Sequence, residues 1–297
     1  MSPLPNYLNL NELYAYEQWS KAKLSLYPLN IDDQILKIKD FKLLSHTDLQ
    51  NIGHNCERFN FALYDIGLAD NDSRIPLQIA TQLGLKVSDK HLCGDKVGIS
   101  AIKVSEKRAP GEYIPYTNKP INWHTDGYYN QSNQKILSMV LHCAQNAISG
   151  GENAFFDHEI LYILLRNENP DYIRVLMDEN VMTIPENVQD GQVIREAQCG
   201  PVFSVYPWGL HMRYTARTKS IVWKNDPLVS EAIKKIREIL NSDSIYKVRH
   251  SFLPGQGVFS NNVLHMRTGF EDSEDNDMDH HRLIYRMRFY ERMKNSA

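Results

Sequence analysis

The chain has 297 residues, 33 basic and 36 acidic, for a formal net charge of −3. That length permits one large or two small domains and a core that needs no staples. The near balance of charge, without long single-sign blocks, argues against a broad basic face for nucleic acid. Cys56, Cys93, Cys143 and Cys199 are widely spaced with no CxxC pair, which argues against a zinc ribbon or a disulfide framework.

The opening MSPLPNYLNLNELY lacks the basic n-region and apolar core of a secretory signal, and no run is long enough to span a bilayer. The expected setting is a reducing cytoplasm, with no membrane partner. No repeat, low-complexity tract or linker divides the sequence. We therefore expect a single domain over residues 1–297, with a helical N-terminal region (about 1–60), a helical insert (about 157–178) and an acidic loop (271–279).

Residues 9–25 read as a polar-to-amphipathic helix carrying Leu10, Leu13, Tyr14 and Trp19. Ser45 with Asp48 forms an acidic capping box that opens a second helix. Phe61 to Tyr64 reads as a strand and Ile75 to Leu83 as a helix. Segments near 96–104 and 136–143 are apolar and β-branched enough for strands. Asn169-Pro170 separates two short helices between 157 and 178, and residues 180–216 alternate strand-like stretches with Gly and Pro breaks. Asp226-Pro227 starts the clearest helix, with Leu228, Ala232, Ile233, Ile236, Ile239 and Leu240 at helical spacing. Strands are expected at 257–265 and 282–290. Helices first, strands behind and one late helix predict a mainly β fold: a barrel or jelly roll buttressed by helices.

The chemistry-bearing motif is His124-Thr125-Asp126. In an extended segment, residues i and i+2 project from one face. His124 and Asp126 can then hold one ion while Thr125 points away, and Gly127 lets the backbone turn beside them. Two imidazoles and one carboxylate on one face of a metal are the ligand set of non-haem Fe(II) oxygenases. The tripeptide alone is weak evidence, because His46-Thr47-Asp48 repeats it, and that copy is assigned to helix capping. His265, which follows an apolar run and an Asn261-Asn262 break, is one candidate for the second imidazole. On chemistry alone His91, His142, His158, His211, His250, His280 and His281 compete with it.

Four blocks in order, WHTDG, GGEN at 150–153, PGQGVFSNNVLHMRTGFED and RLIYR, resemble the taurine dioxygenase/TfdA family over roughly residues 40–292. The resemblance implies a double-stranded β-helix core, with Fe(II) bound by His124, Asp126 and His265. It also implies 2-oxoglutarate as co-substrate and O2 as oxidant. Arg282 then anchors the distal carboxylate of 2-oxoglutarate, and Arg286 binds an acid group of the substrate. Asn153 stands where the taurine enzymes carry a threonine that helps hold the same carboxylate; an amide can donate equally well. The interval from His265 to Arg282 is longer than usual, as if Glu271 to Asp279 were inserted. Pro120 and Ile121 replace polar residues that approach taurine, so taurine itself is not expected.

Read from the residues alone, Arg282 and Arg286 lie four apart and share a strand face with Ile284 and Arg288. Leu283, Tyr285, Met287 and Phe289 form the other face. A charged, solvated face is the plain alternative. Tyr128, Tyr129, Trp208 and Arg213 complete the expected substrate site, as aromatic walls and an anion partner. The function expected is hydroxylation of a small polar, acid-bearing metabolite, an amino acid or sulfonate-like compound. Asp126 favours hydroxylation or desaturation, since related halogenases lack that carboxylate. The partner is a small molecule, and exposed N-terminal helices would permit a homo-oligomer. The same scaffold could instead be a non-catalytic ligand-binding or regulatory protein, or the triad could hold Zn2+ for hydrolysis.

Overall fold

A computed structural model describes residues 3–90, 94–105, 113–189, 191–218, 221–273 and 281–293. His91, Cys93, His280 and the acidic stretch beyond Ser273 lie outside the described residues. The chain divides into two compact units: Met1–Leu29, Trp123–Lys135 and Phe156–Lys247 in one; Asn30–Asn122, Ile136–Phe155 and Val248–Ala297 in the other. Both mix strands with helices. Among the described residues no helix is long and apolar enough to cross a membrane.

The second unit is built on a six-stranded sheet, ordered Ile35–Lys37, Phe61–Asp65, Gln256–Ser260, Ser138–Gln145, Leu283–Phe289 and Ser100–Ile102. The first pair is parallel; the other pairs are antiparallel. Tyr285, Met287 and Phe289 pack in one core with Ile52 and Cys56 of the His46–Phe59 helix and Ile75, Ile79 and Ala80 of the Ile75–Gln82 helix. The period-2 reading of the last strand therefore holds. Its opposite face is not solvated, however: Arg282, Arg286 and Arg288 are 5%, 7% and 2% exposed. Arginines that deeply buried need partners or a ligand, and Arg288 has one in Asp89. The capping box at Ser45 and Asp48 is present, which settles the fate of the first His-Thr-Asp. The stretch expected as a strand over 96–104 is extended only at Ser100–Ile102, and that over 257–265 is broken at Asn262, whose φ of 57° is left-handed.

Within this core His142 stacks on Tyr64 and shares a 3.0 Å hydrogen bond with it through Nδ1. Burial pushes its imidazole down to about 4, against a weaker opposing pull from Asp70. A depressed pKa in the fold means stability that is complete above the unfolded value near 6.5 and lost as pH falls towards 4. The loss should reach roughly 3 kcal/mol. Urea unfolding of His142→Phe at pH 7 and pH 5 should show a flatter pH dependence than wild type.

In the first unit the Leu13–Leu24 helix buries Tyr16, Ser20 and Lys23, while Leu13 and Tyr14 are 64% and 76% exposed. Of the apolar residues read on this helix, Leu13 and Tyr14 thus face solvent, while Trp19 stacks on Tyr7 and meets Tyr162 edge to face. Polar contacts dock the helix as well. Tyr16 Oη donates to Asn167 Oδ1 at 2.6 Å, beneath the Arg166 guanidinium, and Lys23 Nζ lies 2.8 Å from Asp157 and 2.5 Å from Glu159. Burial opposes the charge on Lys23, but the two carboxylates together outweigh it and raise its pKa. Lys23→Met would strand two buried carboxylates and should cost about 3–5 kcal/mol. A thermal melt reads this as a large fall in Tm, whereas an unchanged Tm would make the cluster a spectator.

The two short helices read on either side of Asn169-Pro170 form as His158–Glu168 and Pro170–Leu176, capped by Asp157 and Asn169. The Pro227–Asn241 helix buries Val229, Ala232, Ile233, Ile236 and Leu240. Cys199 pairs in a three-stranded sheet (Gln198–Gly200, Met182–Ile184, Val222–Trp223), followed by the hairpin Phe203–Tyr206 and Gly209–Met212.

Candidate metal and co-substrate site

His124 ends the Ile121–His124 strand, and its backbone bridges Thr215. Thr125 is fully buried and locked to Tyr214: its N–H donates to the Tyr214 carbonyl at 2.9 Å, and its Oγ1 accepts from the Tyr214 N–H at 3.1 Å. With Thr125 clamped on one side, His124 and Asp126 face the other. The His124 Nε2 to Asp126 Oδ1 distance is 3.9 Å. Gly127 then turns the chain at φ 67°, a conformation that favours glycine.

His265 lies on the Leu264–Arg267 strand and is 8% exposed. Its Nδ1 is 3.0 Å from the Val263 carbonyl oxygen. A carbonyl only accepts, so Nδ1 carries the proton and Nε2 keeps its lone pair, the arrangement of a metal-ligating histidine. One ligand atom each from His124, Asp126 and His265 lies within 4.8 Å of the others. Among the described residues this is the group of three that could hold a metal ion. The donor set, two imidazoles and one buried carboxylate, fits Fe(II) with open positions.

Arg282 and Asn153 line one cavity of about 60 Å³, together with Cys143, Gly151 and Phe252. Arg282 is held through its backbone N–H, which donates to Asp272 Oδ1 at 2.9 Å; burial lowers the pKa of its side chain. Asn153 Nδ2 donates to the Gly151 carbonyl at 3.4 Å. Arg286 pairs with Leu141 and Ser100 in the Leu283–Phe289 strand, which Arg282 immediately precedes.

The Tyr128 and Tyr129 rings meet edge to face at 5.1 Å. Burial raises the Tyr128 phenol pKa, and its hydroxyl hydrogen-bonds the side chains of Thr215 and Arg217. Arg195 lies 5.8 Å over the Tyr129 ring. Arg195 and Arg217 were not singled out from the sequence; a lone arginine at the end of a short strand or in a connection carries no periodic signal. Arg213 is buried, and its Nε, Nη1 and Nη2 donate to the carbonyls of Tyr128, Met182, Gly200 and Gln198. Burial pushes its pKa down to about 10. Trp208 sits at the hairpin turn, 37% exposed and stacked on Tyr206 at 4.8 Å.

The family model described as "Taurine catabolism dioxygenase TauD, TfdA family" matches residues 78–287. A uridine-5'-phosphate dioxygenase from Amycolatopsis sp. is 27% identical over 241 residues, covering 77% of this chain and 86% of that protein. Solved structures that share the fold include two oxygenases. An asparagine oxygenase in complex with Fe(II), hydroxyasparagine and succinate has a TM-score of 0.59 at 14% identity, covering 82% of this chain and 78% of that one. The non-heme iron oxygenase OrfP in complex with Fe and alpha-ketoglutaric acid has a TM-score of 0.62 at 13% identity, covering 91% and 90%. A family match spanning most of the chain, with a His-Asp-His cluster at the matching motif, identifies this protein as a member of the TauD/TfdA dioxygenase family.

Proposed function

We propose that the protein is an Fe(II)- and 2-oxoglutarate-dependent dioxygenase that hydroxylates a small, acid-bearing metabolite and releases succinate and CO2. The observation that carries this reading is the convergence of the His124, Asp126 and His265 ligand atoms within 4.8 Å. Iron bound there would supply the oxygen activation that couples decarboxylation of 2-oxoglutarate to substrate oxidation. The fold belongs, in this reading, to the double-stranded β-helix class.

The chain's own residues hold, orient and shield. His124, Asp126 and His265 hold the metal, and the Val263 carbonyl fixes the His265 tautomer. Arg282 and Asn153 take the distal carboxylate of 2-oxoglutarate, because a planar guanidinium pairs with carboxylate through two parallel hydrogen bonds. Arg286 meets the acid group of the substrate. Tyr128 and Tyr129 form the wall beside Asp126, and Arg213 serves that wall by fixing the Tyr128 carbonyl. Trp208 offers an exposed aromatic face on the same unit. The relative acting on uridine 5'-phosphate places phosphate-bearing nucleosides, beside amino acids and sulfonates, among the acids to screen.

The test is an anaerobic titration of apoprotein with Fe(II) and 2-oxoglutarate, followed by visible absorption. A band that requires both additions supports the reading. Its absence in folded protein, together with retention of zinc and indifference to 2-oxoglutarate, overturns it.

A further inference from the structure

Phe270 is 6% exposed and lies under two guanidinium groups: the Arg282 Cζ is 5.1 Å from its ring centroid and the Arg267 Cζ is 4.7 Å. The ring has little freedom to move. Its backbone pairs with Gly150, the Phe270 N–H donates to the Asn118 carbonyl at 3.1 Å, and the Gly151 N–H donates to the Gly269 carbonyl at 3.0 Å. Arg282 also passes close to Gly151: a Cβ there would lie 3.3 Å from Arg282 Nε, at a φ of 71°. Arg267 is anchored through Nη2, which donates to the carbonyls of Thr117 and Lys119 at 2.8 and 2.5 Å. Among the described residues its buried Nε and Nη1 have no hydrogen-bond partner.

Two like charges around one phenyl ring repel each other, and a fold without use for them would replace one. A guanidinium held by its carbon over an aromatic face keeps its in-plane N–H donors for an acid group. The second cation adds to the positive potential that an anion beside Arg282 would feel. We propose that Phe270, with Arg267 on the same ring, is a positioning residue that holds the Arg282 guanidinium in register for the distal carboxylate of the co-substrate. This rests on the reading of Arg282 as the 2-oxoglutarate anchor. It adds why that arginine, rather than its strand neighbours, is set for a dicarboxylate.

The test measures Fe(II)-dependent binding under anaerobic conditions of 2-oxoglutarate and of 2-oxobutyrate, which has the same chelating end and no distal carboxylate. Phe270→Leu should weaken 2-oxoglutarate roughly tenfold, in line with a desolvated cation–π contact, and leave 2-oxobutyrate unchanged. Phe270→Tyr, which keeps the ring, should restore the preference. In turnover the KM for 2-oxoglutarate should rise while kcat holds. Equal weakening of both ligands would mark Phe270 as packing alone, and no weakening of either would also overturn the proposal. Should Phe270→Leu fail to fold, Phe270→Met, of similar volume, carries the same comparison. A wild-type protein that binds neither ligand in an iron-dependent manner would instead remove the oxygenase reading, and this proposal with it.

Discussion

Asp126→Ala should lower 2-oxoglutarate-dependent succinate formation by at least about 100-fold, since even residues that only support metal ligands carry effects of 10–100-fold. Asp126 is the triad's carboxylate and is 5% exposed. Its loss leaves two neutral imidazoles, which bind Fe(II) weakly and no longer offset its charge. The matched control is Asp48→Ala in the other His-Thr-Asp, where the carboxylate accepts from the Ser45 N–H at 2.9 Å. That change removes half of a capping box and should cost about 1 kcal/mol of stability with turnover intact. Rapid-quench succinate assays and thermal melts on both variants read the contrast. Wild-type coupling in Asp126→Ala would sink the triad assignment.

The two copies also show what a sequence can and cannot settle. At residues 45–48 the capping box is local: donor and acceptor sit three residues apart, and the chain pattern determines the geometry. At 124–126 the extended backbone decides that His124 and Asp126 share a face, and the clamp of Thr125 on Tyr214 bears this out. The position of His265 relative to them, however, depends on packing over about 140 residues, so several histidines competed until the family resemblance singled one out. His142, one of those competitors, is a core residue hydrogen-bonded to Tyr64.

Elsewhere the local signal was weaker or misleading. The alternation in the last strand correctly separated the arginine face from the apolar face. It could not show that the arginine face is buried, because burial depends on what covers it. The Leu13–Leu24 helix forms as expected and Trp19 packs against Tyr162, but Tyr16 and Lys23 with Asp157 and Glu159 also dock it, and ion pairing across such sequence distances leaves no periodicity. Phe270 and Gly151 fall inside the matched blocks, but the sequence assigns neither a role, since each matters through Arg282 and not through its own neighbours in the chain.

Arg282→Met is expected to raise the KM for 2-oxoglutarate on the order of 100-fold, the scale of losing one partner of a buried charge pair. The KM for the hydroxylated substrate should stay near wild type. Arg286→Met should do the reverse, which decides between two buried arginines four residues apart in the chain. A second readout separates binding from architecture. Burial disfavours the Arg282 charge, so in the apoprotein the side chain is a cost that an apolar residue of similar length relieves. The melting temperature of apo Arg282→Met should therefore match or exceed that of wild type, while the stabilisation gained on adding Fe(II) and 2-oxoglutarate should largely vanish. A variant that melts low without ligand yet keeps the ligand-induced rise would make Arg282 a structural residue. The anchor would then have to be sought at Arg286.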